Sequence, residues 1–121
     1  MPKNMEIALL FDFYGDMLTE KQRQVVELYY EDDLSLAEIA EDQKITRQGV
    51  RDSIKRAEAQ MLDMEDRLHL AARFREMREG FSAICRAAQD IRTLNDRYGY
   101  SREIDDRAKR IVALAKELKE R

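Results

Sequence analysis

The amino-acid sequence predicts an all-α protein, on three observations. Apolar residues recur at three- and four-residue spacing through most of the chain, side chains able to cap helices stand in front of those runs, and no proline follows Thr46. Asn4 can cap a first helix from Met5 to about Tyr14, with Ile7, Leu10, Phe11 and Tyr14 on one stripe, and Gly15 then breaks it. The spacing of these aromatics is that of a buried face, so they are read as core filling. Leu18 and Thr19 lead into a second helix, EKQRQVVELYYEDD, whose Thr19 and Gln22 satisfy a reciprocal capping box. Val25, Val26, Leu28 and Tyr29 give it a broad apolar face. Phe13 and Tyr30 fall off their stripes and are candidates for contacts between chains.

Residues 35–56 have the spacing of a helix-turn-helix. Ser35 and Glu38 form a second capping box, so a short helix begins at Leu36, with Leu36, Ile39 and Ala40 on one face. The small Ala40 leaves room for a second helix to cross closely. Gln43 to Thr46 make the turn, Thr46 caps the next helix, and Val50, Ile54 and Ala57 point inward. The expected DNA-binding set is therefore Lys44, Thr46, Arg47, Gln48, Arg51, Asp52, Lys55 and Arg56. Arginine pairs bidentately with guanine and glutamine with adenine, which fits Arg47, Arg51 and Gln48 to base edges, while Lys44, Lys55 and Arg56 suit phosphates. Residues 44–56 hold five basic side chains and one acid. The competing reading is a solvated face of mixed charge on a plain packing unit.

Two features depart from the commonest pattern. Lys44 stands where many such turns have glycine, so a left-handed residue there is occupied at some cost or the turn is shaped differently. Gly49 lies inside the second helix, where it costs roughly 0.5–1 kcal/mol relative to alanine. It reads either as close approach of the backbone to DNA or as tolerated drift.

From Leu18 to Ala40 the leucine-threonine start, the valine-leucine-tyrosine helix and the LSLAEIA entry resemble region four of bacterial sigma factors, over about residues 18–60. The run LYYEDDLSLAEIAEDQKITRQGVRDSIKRAE, followed by a nearly all-helical tail, is similar to the YlxM family of small bacterial proteins. That resemblance implies a sigma-region-four-like helix-turn-helix followed by a long helix and a helical C-terminal extension. It also implies an association with genes of the signal recognition particle, and hence with components of that particle as partners.

The tail carries apolar residues in near-heptad order through Val50, Ile54, Ala57, Met61, Met64, Leu68 and Ala71, continuing through Phe74, Met77, Phe81, Ile84, Ala88, Ile91 and Tyr98. The spacing predicts a helix from residue 47 to about 78, roughly 48 Å long at 1.5 Å per residue. Gly80 offers a bend or break, residues 95–101 read as a loop, and Ser101 caps a last helix ending near Leu118. The expected division is residues 1–60 for the helix-turn-helix and 61–121 for the extension. The extension can fold back as an antiparallel hairpin or pair with another copy; sustained heptads favour a homodimer, with Met61, Met64, Leu68, Phe74 and Phe81 in its seam.

The chain of 121 residues has a net charge of −3. Its first 34 residues hold three bases and eight acids, so a duplex must meet the local cations of residues 44–56 while the acidic face points away. An acidic face of this kind also suits a protein partner. Cys85 is the one cysteine, which precludes an internal disulfide and agrees with a reducing cytoplasm; it is read as a small buried apolar residue. No run approaches the roughly 18 apolar residues of a membrane span, and the N-terminus lacks the layout of a secretion signal. His69 is read as a surface or seam residue, and Glu31, Asp32 and Asp33 as an exposed acidic helix end. With no nucleophile set or glycine-rich phosphate loop, neither an enzyme, a cofactor, a metal nor a small-molecule substrate is expected. Three functions follow: a dimeric DNA-binding regulator, a protein- or RNA-interaction accessory of the signal recognition particle without duplex binding, and, more weakly, an adaptor to RNA polymerase.

Overall fold

The computed structural model describes residues 3–121, and the helices begin where the caps require. They are α1 (Met5–Tyr14), a single 3-10 turn (Gly15–Met17), α2 (Glu20–Tyr30), α3 (Leu36–Gln43), α4 (Arg47–Leu68), α5 (Leu70–Arg97) and α6 (Arg102–Glu120). Asn4 accepts the Glu6 amide, and both capping boxes, Thr19 with Gln22 and Ser35 with Glu38, are formed in full. The described residues are all-α, and the chain divides into two compact units, Met1–Ala71 and Ala72–Arg121. The first unit thus extends past residue 60.

Within the first unit two clusters form the core, and α4 belongs to both. Val50 and Ile54 pack with Val25, Tyr29, Ile39 and Ala40; one turn on, Ala57 and Met61 pack with Ile7, Leu10, Tyr14, Leu18 and Val26. Val50, Ile54, Ala57 and Met61 are all inaccessible to solvent. A helix held along about three turns of one face can present only the opposite face to a ligand. Phe13 and Tyr30, expected between chains, instead pack half-buried against the second of these clusters. The Tyr30 hydroxyl donates to Glu58 Oε1 at 3.2 Å, and burial pushes its pKa up to about 12. Both rings sit where the neighbouring helices come together, a place that a stripe drawn on one helix does not show.

The continuous helix expected from 47 to about 78 is broken at His69, whose φ of 57° is left-handed. Side chains distant in sequence hold the break. The buried Tyr14 hydroxyl donates to Glu65 Oε1 at 2.6 Å and accepts the Leu70 amide at 3.2 Å, while Glu65 Oε1 also accepts the Ala71 amide at 3.0 Å. The first amides of α5, which no helix can satisfy by itself, are met in this way. Burial, reinforced by the Glu65 hydrogen bond, raises the Tyr14 pKa and keeps the phenol a donor. Replacing Tyr14 by phenylalanine strands a part-buried carboxylate and an amide, so a loss of about 1–3 kcal/mol is expected in denaturant unfolding. An unchanged midpoint would show that water serves as well.

The break also changes what the heptad residues do. Met61 lies in the core and so is not available to a seam between chains, while Met64 is half-buried against that core. Leu68 is 43% exposed at the last turn of α4, and His69 is the exposed residue of the break.

In the second unit, α5 and α6 fold into an antiparallel hairpin, the fold-back that the sequence offered as the alternative to pairing with another copy. Asn95 Nδ2 donates to the Ser101 carbonyl at 2.8 Å, and the Ser101 amide donates to Asn95 Oδ1 at 3.0 Å. Gly99 supplies the left-handed residue of the connection, with φ 103°. Arg92 and Lys109 clasp the buried Asp105 at 3.0 and 3.1 Å. Ala88, Ala108 and Ala115 are buried along the seam, and Phe81 and Cys85 are half-buried beside Ala115, so Phe81 meets its own chain. Phe74 is half-buried with the Arg78 guanidinium 5.7 Å from its ring centre. Gly80 lies inside α5 without ending it.

The hydrogen bonds from Arg92 and Lys109 hold the Asp105 carboxyl below the usual carboxylate range. A depressed folded pKa stabilises the hairpin at all pH above the ordinary carboxylate value, and that stabilisation is lost as pH falls below it. Acid titration followed by NMR should show the α5 and α6 resonances shifting together in that window. In an Asp105→Asn variant the acid-dependent step should be absent.

Candidate nucleic-acid interface

The turn between α3 and α4 is built from backbone hydrogen bonds. Lys44 adopts the left-handed conformation, φ 59° and ψ 42°, and the Ile45 amide returns to the Ala40 carbonyl at 3.1 Å. A lysine thus occupies the position where glycine would be free of strain. Thr46 caps α4, its Oγ1 accepting the Gly49 amide at 2.9 Å. A Cβ at residue 49 would lie 3.1 Å from that same oxygen. Glycine here keeps the cap uncrowded, an intrachain reason that spacing alone does not reveal.

With Val50 and Ile54 locked inward, Arg47, Gln48, Arg51, Asp52, Lys55 and Arg56 emerge on the free face of α4, and Lys44 and Thr46 stand exposed at its entrance. All eight expected side chains are therefore on one exposed stretch. Among the described residues, none of Lys44, Arg47, Arg51, Lys55 and Arg56 forms an ion pair. Gln48 is engaged: its Nε2 donates to Asp52 Oδ1 at 2.9 Å, which orients the amide and gives the acid a local role. Of the other acids of the first unit, Asp12, Asp16, Glu27 and Glu31 surround a separate cleft between α1 and α2. Asp33 is paired with Lys3, which holds its carboxyl below the usual range.

One further cation, Lys21, joins this face. A cleft of 480 Å³ beside α4 is lined by Gly49, Asp52, Ser53 and Arg56 and, from the start of α2, by Thr19, Lys21 and Gln22. Lys21 sits in the first turn of α2, where the helix dipole disfavours a cation, so its charge there works against helix stability. That mismatch is the sequence signal for Lys21. Its neighbourhood with Arg56 becomes visible only once α2 is packed against α4.

A closely packed helix pair, a three-residue turn and a second helix with an exposed polar face define a helix-turn-helix protein. Residues 1–99 match the family model described as "Putative helix-turn-helix protein, YlxM / p13 like". The chain belongs to that family. It is 36% identical over 112 residues to a UPF0122 protein of Clostridium novyi, covering 93% of this chain and 97% of the relative. Identity is 44% over 84 residues with the UPF0122 protein YlxM of Bacillus subtilis, 69% of this chain and 76% of that one. With a UPF0122 protein of Clostridium botulinum it is 54% over 70 residues, 58% of this chain and 64% of the relative. Among the described residues no helix is long and apolar enough to cross a membrane.

Proposed function

We propose that this protein is a DNA-binding regulator that sets α4 in the major groove, acting in the cytoplasm and without catalytic activity. The observation that carries the reading is the row of exposed cations on the free face of α4 that make no ion pair among the described residues, on a helix whose opposite face is fully buried. In this reading Arg47, Gln48 and Arg51 face base edges while Lys44, Lys55 and Arg56, with Lys21 across the cleft, hold phosphates. Thr46 fixes the helix start and Asp52 aims Gln48. Two copies bound together would offset the modest affinity of an acidic protomer.

The test is selection of bound fragments from random duplex DNA, with signal-recognition-particle RNA and protein offered in parallel. Enrichment of a shared duplex sequence supports the proposal. Retention of the RNA or protein with no duplex enriched would replace it by the accessory role that the family resemblance implies, for which the acidic first third is the supporting feature.

A further inference from the structure

The hairpin of the second unit is built with its residue sizes inverted. Its fully covered inner residues are Ala88, Ala108 and Ala115, with Phe81 and Val112 half-buried beside them, while the isoleucines stand outside: Ile84 is 48% exposed, Ile91 44% and Ile111 40%. Each helix carries two seams roughly a sixth to a quarter of a turn apart, at roughly 100° per residue. On α5 the outer one runs Met77, Gly80, Ile84, Ala87, Ile91, Leu94 and contains no charge. On α6 it runs Ile104, Ile111, Leu114, Leu118, with Arg107 among them. The helices are antiparallel, and on each the outer seam is reached by stepping three residues forward from the inner one. Both outer seams therefore emerge on the same side of the hairpin. Two seams per helix is the pattern of a four-helix bundle, of which one hairpin supplies half.

We propose that this face binds the same face of a second copy of the chain, closing a four-helix bundle from two hairpins. Self-complementarity favours a copy over another partner. Run antiparallel against itself, the α5 seam sets Ile91 of one copy over Gly80 of the other and Ile84 over Ala87, large against small. On α6 the same arrangement brings Arg110, at the rim of the seam, toward Glu117 of the other copy, twice by symmetry; among the described residues of its own chain Glu117 pairs with the exposed Arg121 alone. Gly80 gains an explanation that the single chain lacks. It sits mid-helix at a cost to stability, yet a Cβ there would meet nothing within 4 Å. Only a neighbour from outside needs that space.

Association through this face needs no nucleic acid, so the mass of the full-length protein is measured without any. Sedimentation equilibrium at micromolar concentration should give twice the chain mass. Ile84→Glu/Ile91→Glu, with helix content checked by circular dichroism, should weaken association by about 100-fold or more. Gly80→Leu fills open space in the monomer and raises helix propensity, so it cannot act by unfolding; it should weaken association about tenfold. Arg110→Glu should weaken association as well, and Arg110→Glu/Glu117→Arg should restore it. A protein that stays monomeric, or a dimer left equally tight by Gly80→Leu and Arg110→Glu, overturns the proposal.

Discussion

Replacing Met61 by alanine is expected to destabilise the first unit by about 2–5 kcal/mol and to leave the association state of the protein unchanged. Met61 is fully buried and lies in the cluster with Ile7, Leu10 and Tyr14, so its truncation removes contacts and leaves a cavity among helices that cannot close independently. Denaturant unfolding measures the first effect and sedimentation the second. A residue in a seam between copies would give the opposite pair of results, with a small change in protomer stability and a shift toward monomer. That opposite pair would refute the core assignment.

The Arg47→Ala/Arg51→Ala variant is expected to lose duplex binding and keep its fold. Each base contact removed costs about 1–3 kcal/mol, so the pair should weaken the selected sequence by about a hundredfold or more and relax its preference. Lys55→Ala should behave differently, weakening all sequences alike and lowering the salt slope by about one. Fluorescence anisotropy at several salt concentrations separates the two classes, and circular dichroism confirms the fold, since both arginines are exposed. Equal binding by parent and double variant at moderate salt would remove α4 from the interface.

Local chemistry made much of this structure readable. The caps at Asn4, Thr19, Ser35, Thr46 and Ser101 mark helix starts because each satisfies amides within three residues, and all five form. The junction of Ile39, Ala40, Val50 and Ile54 was equally legible, since phase on two adjacent helices specifies it. What periodicity could not show is the break at His69. An apolar stripe passes through a single left-handed residue almost unchanged, and the groups that hold it there, Tyr14 and Glu65, lie 51 residues apart. The fate of Met61, Met64 and Phe81 follows from the same blindness: spacing says that a side chain is covered, not by what. Heptads alone do not distinguish a hairpin from a pair of chains. The eight expected residues of the candidate interface were legible because one turn and one helix carry them, whereas Lys21 required the packing of α2.

The contacts of Tyr14 bear on how the protein is made. A ribosome delivers the helix-turn-helix, residues 35–56, before it delivers Met61, Glu65 and Ala71, which close the core over α1. At about 5–20 residues per second the fifteen residues from Arg56 to Ala71 take roughly one to three seconds. Throughout that interval the cationic face is complete in sequence, while Ile7, Leu10 and Tyr14 wait for their partners with apolar surface open to solvent. A gene fragment cut at the end of the recognition motif would hold the chain in that unfinished state indefinitely. Fragments intended to isolate the DNA-reading unit should therefore run through Ala71.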